Sequence, residues 1–218
     1  MNNTRVLLIQ APPWGVTTFP LGIAYCAQYL RRNNVPADVY DLNIELYQNA
    51  SPEIRAQWST DEFEYWASGT VCAEAVFDIP GIIDKILSYA PAIVGFSTTF
   101  ASIPFCNELI AELKKRSPRI RVIIGGGGPS YEIHRSFFRR DCVDYFIIGE
   151  GEVLLHETVK AIMNNTADSL ETVSLLWKDR PDDHSVCLRS RAALHPDRIP
   201  FPTYDGFDVE AYTEKDLL

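Results

Sequence analysis

Between residues 5 and 165, five short apolar runs alternate with helical patterns, and that alternation restricts the chain to few folds. The runs are RVLLIQA (5–11), ADVYDLN (37–43), AIVGFSTTF (92–100), RVIIGGGG (121–128) and DYFIIGEGE (144–152). Short runs of this kind read as strands buried on both faces. Between and after them, PLGIAYCAQYLRRNN (20–34), GIIDKILSYA (81–90), IPFCNELIAELKKRS (103–117), EIHRSFFRR (132–140) and EVLLHETVKAIMNN (152–165) read as helices. In the first, Leu21, Ile23, Ala24, Ala27 and Leu30 recur at near-helical spacing, with Pro20 suited to the first turn and basic residues at the end. Parallel strands need crossovers, and both faces of the sheet must be covered. The expectation is an α/β domain over residues 1–165 with a doubly wound, five-stranded parallel sheet.

Two segments fall outside the alternation. Residues 44–80 exceed an ordinary connection and carry Trp58, Phe63, Tyr65, Trp66 and Phe77 beside many acidic residues. That composition suits a lid, a docking surface for another domain, or a flap covering its own apolar patch. After residue 165, VSLLWKD and SVCLRS flank the turn-rich RPDDH, so residues 166–195 read as a small β-hairpin extension. Residues 196–218, with Pro196, Pro200 and Pro202, read as an extended linker.

The net charge of -9 argues against nucleic acid as a partner, because phosphate neutralisation needs clustered Lys and Arg. No apolar run approaches bilayer length, and the first fifteen residues lack the pattern of a signal peptide, so no membrane partner is expected and the expected location is cytoplasmic. The five cysteines, Cys26, Cys72, Cys106, Cys142 and Cys187, show no metal-ligand spacing. Cys26 and Cys106 fall in helical patterns and read as small buried thiols.

In open α/β sheets, ligands bind at the carboxyl ends of the strands. The unusual segments gather there: APPWGVTT after the first strand, STTFAS after the third, GGGGPS after the fourth and GEGE after the fifth. Four consecutive glycines cost backbone entropy and contribute no packing, so close approach of a ligand to bare backbone is a better reading than four separate turns. The hydroxyls of Ser97, Thr98, Thr99 and Ser130 could bond to ligand amides or phosphate oxygens. The loop after the first strand is Pro12-Pro13-Trp14-Gly15, without the Gly-x-Gly-x-x-Gly of dinucleotide sites, and no P-loop is present. A flavin remains open on such a sheet.

In order and spacing, RVLLIQAPPWG...FPLGIAYCAQYLRRNNVPADVYDLN, IVGFSTTF, VIIGGGGPS and DYFIIGEGE resemble the N-terminal cobalamin (B12)-binding domain of cobalamin-dependent radical SAM enzymes, over about residues 5–165. The resemblance implies a Rossmann-like or flavodoxin-like B12-binding fold, with the corrinoid above the carboxyl edge of the sheet and its nucleotide tail in a groove beside strands three and four. It implies that Ser97, Thr98 and Thr99 line the tail, that Gly125, Gly126, Gly127 and Gly128, continuing into Pro129 and Ser130, let it pass, and that Gly149, Glu150 and Gly151 close its far side. Pro13, Trp14 and Gly15 complete the implied set, with Trp14 and Val16 placed to shield the lower face of cobalt.

Residues 12–18 hold no histidine, unlike the Asp-x-His-x-x-Gly loop of methionine-synthase-like domains; the near match Asp182-Asp183-His184 lies in the hairpin. With the tail drawn into the sheet groove, cobalamin is expected with its own base displaced, and the missing histidine leaves no protein histidine on cobalt. His134 and His156 read as surface or packing residues, and Glu150 and Glu152 as capping and tail contacts. The chain also lacks the Cys-x-x-x-Cys-x-x-Cys that holds an iron-sulfur cluster. The resemblance then implies a cofactor-binding module, with cluster and S-adenosylmethionine in a C-terminal radical SAM domain of the same full-length protein, reached through residues 196–218, and methyl transfer as the reaction. The alternatives are a flavin-binding protein and a degenerate B12-like domain acting as an interaction module.

Overall fold

The structure, a computed structural model, describes residues 5–58, 63–67, 77–166, 170, 174–191 and 195–212. Strands β1 (Val6–Gln10), β2 (Ala37–Tyr40), β3 (Ile93–Thr98), β4 (Arg121–Gly126) and β5 (Tyr145–Ile148) are the five that the alternation predicts, and they pair in parallel. The sheet has seven strands, however, in the order β2-β1-β3-β4-β5-β7-β6. The expectation of five is corrected by β6 (Ser174–Trp177) and β7 (Val186–Ser190). These form an antiparallel hairpin, and β7 also pairs in parallel with β5. The pairing closes the edge that β5 would leave open and buries Cys187 and Leu188 completely.

The helices are α1 (Leu21–Arg32), α2 (Leu42–Asn49), α3 (Pro52–Arg55), α4 (Phe63–Ala67), α5 (Ile79–Ser88), α6 (Ile103–Arg116), α7 (Glu132–Ser136) and α8 (Glu152–Asn164). Local chemistry sets several ends: Asp41 caps α2 through the amide of Ile44, Asp78 caps α5 through that of Gly81, and Asn165 closes α8 with a left-handed backbone. Alternate strand residues face two layers. Leu7, Ile9, Val94, Phe96, Val122 and Ile124 pack with α2, α5 and α6, whereas Val6, Leu8, Ile93, Ile123 and Ile147 pack with α1 and α8.

Within the insertion, residues 59–62 and 68–76, including Cys72, lie outside the described residues. Trp58 and Trp66 meet edge to face at 4.9 Å, Phe77 stacks on Trp66, and Phe77 reaches Phe105 of α6 at 5.7 Å. The aromatic side chains described there therefore point into the α5/α6 layer.

The amino edge of the sheet is pinned by Asp144, buried and bonded to Lys114 Nζ (2.8 Å), Arg121 (2.7 Å) and the amide of Val122 (2.8 Å). Those hydrogen bonds hold its carboxyl below the ordinary carboxylate range despite burial. The terminal segment, expected as an extended linker, packs back along edge strand β2. Thr203 bonds to Gln28, Arg31 bridges Thr203 to the carbonyl of Ala37, Phe207 is buried, and the Tyr212 hydroxyl donates to Asp41 at 2.6 Å. No helix among the described residues is long and apolar enough to cross a membrane.

Candidate cofactor site

At the carboxyl edge the α1/α8 layer is hollow. Register sets Gly95 beside Leu8 and Ile123, and Gly125 beside Ser97; the Leu8 side chain takes the space at Gly95, and the space at Gly125 stays open. Facing them are Gly22, Ile23 and Cys26 of α1, and Gly151, Glu152 and Leu155 at the start of α8. The result is a cavity of about 190 Å³, with Leu8, Ile123 and Ile147 on its sheet wall and Ser97, Gly126, Gly149 and Glu150 also lining it.

The four consecutive glycines serve different ends. A Cβ on Gly125 would come no nearer than 4.0 Å to any protein atom, so its absence keeps space open. Gly126 has a φ of +82°, and a Cβ there would lie 2.6 Å from the carbonyl oxygen and 2.8 Å from the nitrogen of Thr98, so this glycine is demanded by the turn. Gly127 meets nothing within 4 Å, and Gly128 sits on the hydroxyl of Thr98.

Of the residues singled out in the sequence, Ser97, Gly125, Gly126, Gly149, Glu150 and Gly151 come together at the cavity. The others occupy loops above or beside it. Thr98 is buried and donates to the carbonyl of Gly125 at 2.9 Å, and Thr99 pairs with Ser102. Gly128, Pro129 and Ser130 form one 3₁₀ turn, whose Pro129 carbonyl accepts from Arg135 at 2.7 Å. Arg135 is in turn held by both carboxylate oxygens of Asp179, which also accepts from Arg140 and Trp177. These hydrogen bonds, led by that of Arg135, hold Asp179 far below the ordinary range. The hairpin thus fixes the glycine turn through a buried ion cluster.

After β1 and Pro13, the Trp14 amide donates to Asn43 Oδ1 at 2.9 Å and its indole donates to the Thr18 carbonyl, while Gly15 has open space around it. His134 packs among Phe100, at 4.4 Å, and Tyr131; His156 is buried against Tyr29 and beside Glu157. His184 lies 3.6 Å from Asp144, at the amino edge and away from the cavity. No group of three or more metal-ligating side chains occurs among the described residues.

Sequence reasoning missed the inner wall: Gly22, Cys26, Gly95 and Leu155. Gly22 and Gly95 carry the signal that could have found it, since a glycine inside a helix or strand pattern marks close approach. Burial, reinforced by Glu152 and Glu150, pushes the Cys26 thiol up to about 12, so it is a neutral lining group. Burial, with Glu150 nearby, raises Glu152 above the usual carboxylate range. The hollow is thus mostly apolar, open to bare backbone at Gly125, and acceptor-rich at one end. It suits an uncharged flat group whose remainder lies over the carboxyl edge.

Comparison with known proteins agrees with this geometry. A family model, the B12 binding domain, matches residues 69–159. Cytidylyl-2-hydroxyethylphosphonate methyltransferase of Streptomyces wedmorensis is 24% identical over 226 residues, covering 90% of this chain and 38% of that protein. Anaerobic magnesium-protoporphyrin IX monomethyl ester cyclase of a Synechocystis strain is 24% identical over 86 residues, covering 38% of this chain and 17% of that protein. Among solved structures, the radical S-adenosylmethionine methyltransferase TsrM of Kitasatospora setae aligns with 21% identity and a TM-score of 0.44 over 74% of this chain and 26% of its own. The chain thus spans well under half the length of the curated relatives it matches. The stretch that matches the B12 binding domain model runs from the insertion through β3, β4 and β5 into α8.

Proposed function

We propose that this chain is the cobalamin-holding module of a B12-dependent radical SAM methyltransferase. The observation that carries the reading is the cavity whose sheet wall is left open at Gly125, in a chain whose residues 69–159 match the B12 binding domain model. The nucleotide tail belongs in that cavity, against Gly125 and Gly149, with Ser97 as a hydroxyl donor and Glu150 and Gly151 at its far side. Bound cobalamin supplies a cobalt atom able to carry a methyl group. Pro13, Trp14 and Gly15, in the loop after β1, would hold the ring together with Thr98, Thr99 and Gly126 to Ser130 in the loops after β3 and β4.

With the tail drawn into the cavity, its base would be held away from cobalt, and residues 12–18 offer no histidine to replace it. Radical chemistry, with its iron-sulfur cluster and S-adenosylmethionine, belongs to a domain outside this chain. The return of residues 203–212 toward Asp41, at the carboxyl end of β2, supports a route from this unit to the face where the tail cavity opens.

Gel filtration with hydroxocobalamin and visible detection tests the reading. One corrinoid per chain is expected to co-elute; no co-elution under oxidising and reducing conditions would remove it. Electron paramagnetic resonance of the cob(II)alamin complex is expected to show cobalt lines without nitrogen splitting. Clear splitting would contradict the displaced base.

A further inference from the structure

We infer that the cavity selects among corrinoids by their lower base, taking a benzimidazole-type base in preference to a purine. The inference rests on the cobalamin reading above. At about 190 Å³ the cavity is smaller than the roughly 300–1,000 Å³ that encloses a whole ligand. It therefore admits one fused-ring fragment of a larger cofactor. Its apolar wall is Leu8, which lies over Gly95, with Ile23, Ile123, Ile147 and Leu155, and the backbone is bare at Gly125.

The supply of hydrogen bonds there is lopsided. Gly95 and Gly125 lie within paired strands, so the floor's backbone is engaged in the sheet. Of the polar side chains lining the cavity, Glu150 and Glu152 accept when ionised, Cys26 holds a weakly donating thiol, and Ser97 has the one hydroxyl.

Dimethylbenzimidazole displaced from cobalt brings one free ring nitrogen, which Ser97 could serve, and two methyl groups that gain from apolar burial. Adenine brings the same kind of nitrogen, two further ring acceptors and an amine. A carboxylate can accept from the amine, but among the lining side chains the two extra acceptors find only the weakly donating Cys26 thiol. Unpaired acceptors and lost methyl burial act in the same direction. Together they amount to about a tenfold or greater loss of affinity.

The test compares three corrinoids on the purified chain by equilibrium dialysis: cobalamin, adeninylcobamide, and cobinamide, which has no nucleotide tail. Cobalamin is expected to bind at least tenfold tighter than either of the others. Equal affinity for cobalamin and adeninylcobamide overturns the inference and leaves the cobalamin reading standing. Cobinamide binding as tightly as cobalamin also overturns it, because the tail would then contribute nothing. Binding of none of the three removes the cobalamin reading itself and the inference with it.

Discussion

The two faces of the same strands make opposite uses of their residues. Toward α5 and α6, Phe96 and Ile124 interlock with Phe105, Leu109 and the insertion's Trp66, all essentially buried. One position away, toward α1 and α8, Gly125 leaves a hollow. Backbone path and pairing are shared, so the difference lies wholly in side chains. Stability is concentrated on one face, and the other is free to be shaped for a ligand.

The filled face should yield the largest effect. Phe96→Ala is expected to cost about 3–5 kcal/mol of folding stability, read by denaturant titration, because neighbours in a close-packed layer collapse only partly around a deleted ring. A loss below about 1 kcal/mol would show that this face is not the more tightly packed one.

The next effect concerns a carboxylate that the filled layer must also accommodate. Asp41 caps α2 and accepts from Tyr212, yet burial outweighs these bonds and raises it to about 6 from an ordinary 3.8. A raised folded pKa favours the protonated folded state, so its stabilisation is present in full below about pH 4 and is lost as pH rises through about 6. Relative to Asp41→Asn, the wild type should lose about 2 kcal/mol between about pH 4 and about pH 7.5. A pH-independent difference would place Asp41 in solvent.

The smallest effects sharpen the contrast within one glycine run. Gly126→Ala forces a side chain onto a positive φ and into the Thr98 backbone, and is expected to cost roughly 1–3 kcal/mol of stability. Gly125→Val has room in the native fold, so its thermal midpoint should hold or rise while corrinoid affinity falls about tenfold, or about 1.4 kcal/mol. If the two variants traded outcomes, the hollow would be the structural feature and the turn the functional one.

The strand-helix alternation was legible because burial on both faces and crossover geometry leave a direct imprint on local sequence. The carboxyl-edge loops were legible for the same reason. The division of labour among Gly125, Gly126, Gly127 and Gly128 was not, since it depends on Thr98 in a neighbouring strand, 28 residues before Gly126. Gly22 and Cys26 look like ordinary helix residues until α1 is placed opposite β3 and β4. The hairpin was readable from its own turn, but the parallel pairing of β7 with β5 is a non-local event that local patterns do not encode.

The segment that folds back along β2 bears on self-association. β2 is one of the two outer strands of the sheet, and an uncovered outer strand is a template for a second chain. Arg31 occupies the Ala37 carbonyl, and Gly206, with a φ of +95°, lets the segment approach until a Cβ would stand 3.1 Å from the Val39 carbonyl. A version cut short before Thr203 would bare that strand, and its first fault would be oligomers or aggregates formed by strand addition, with the cavity on the sheet face still intact.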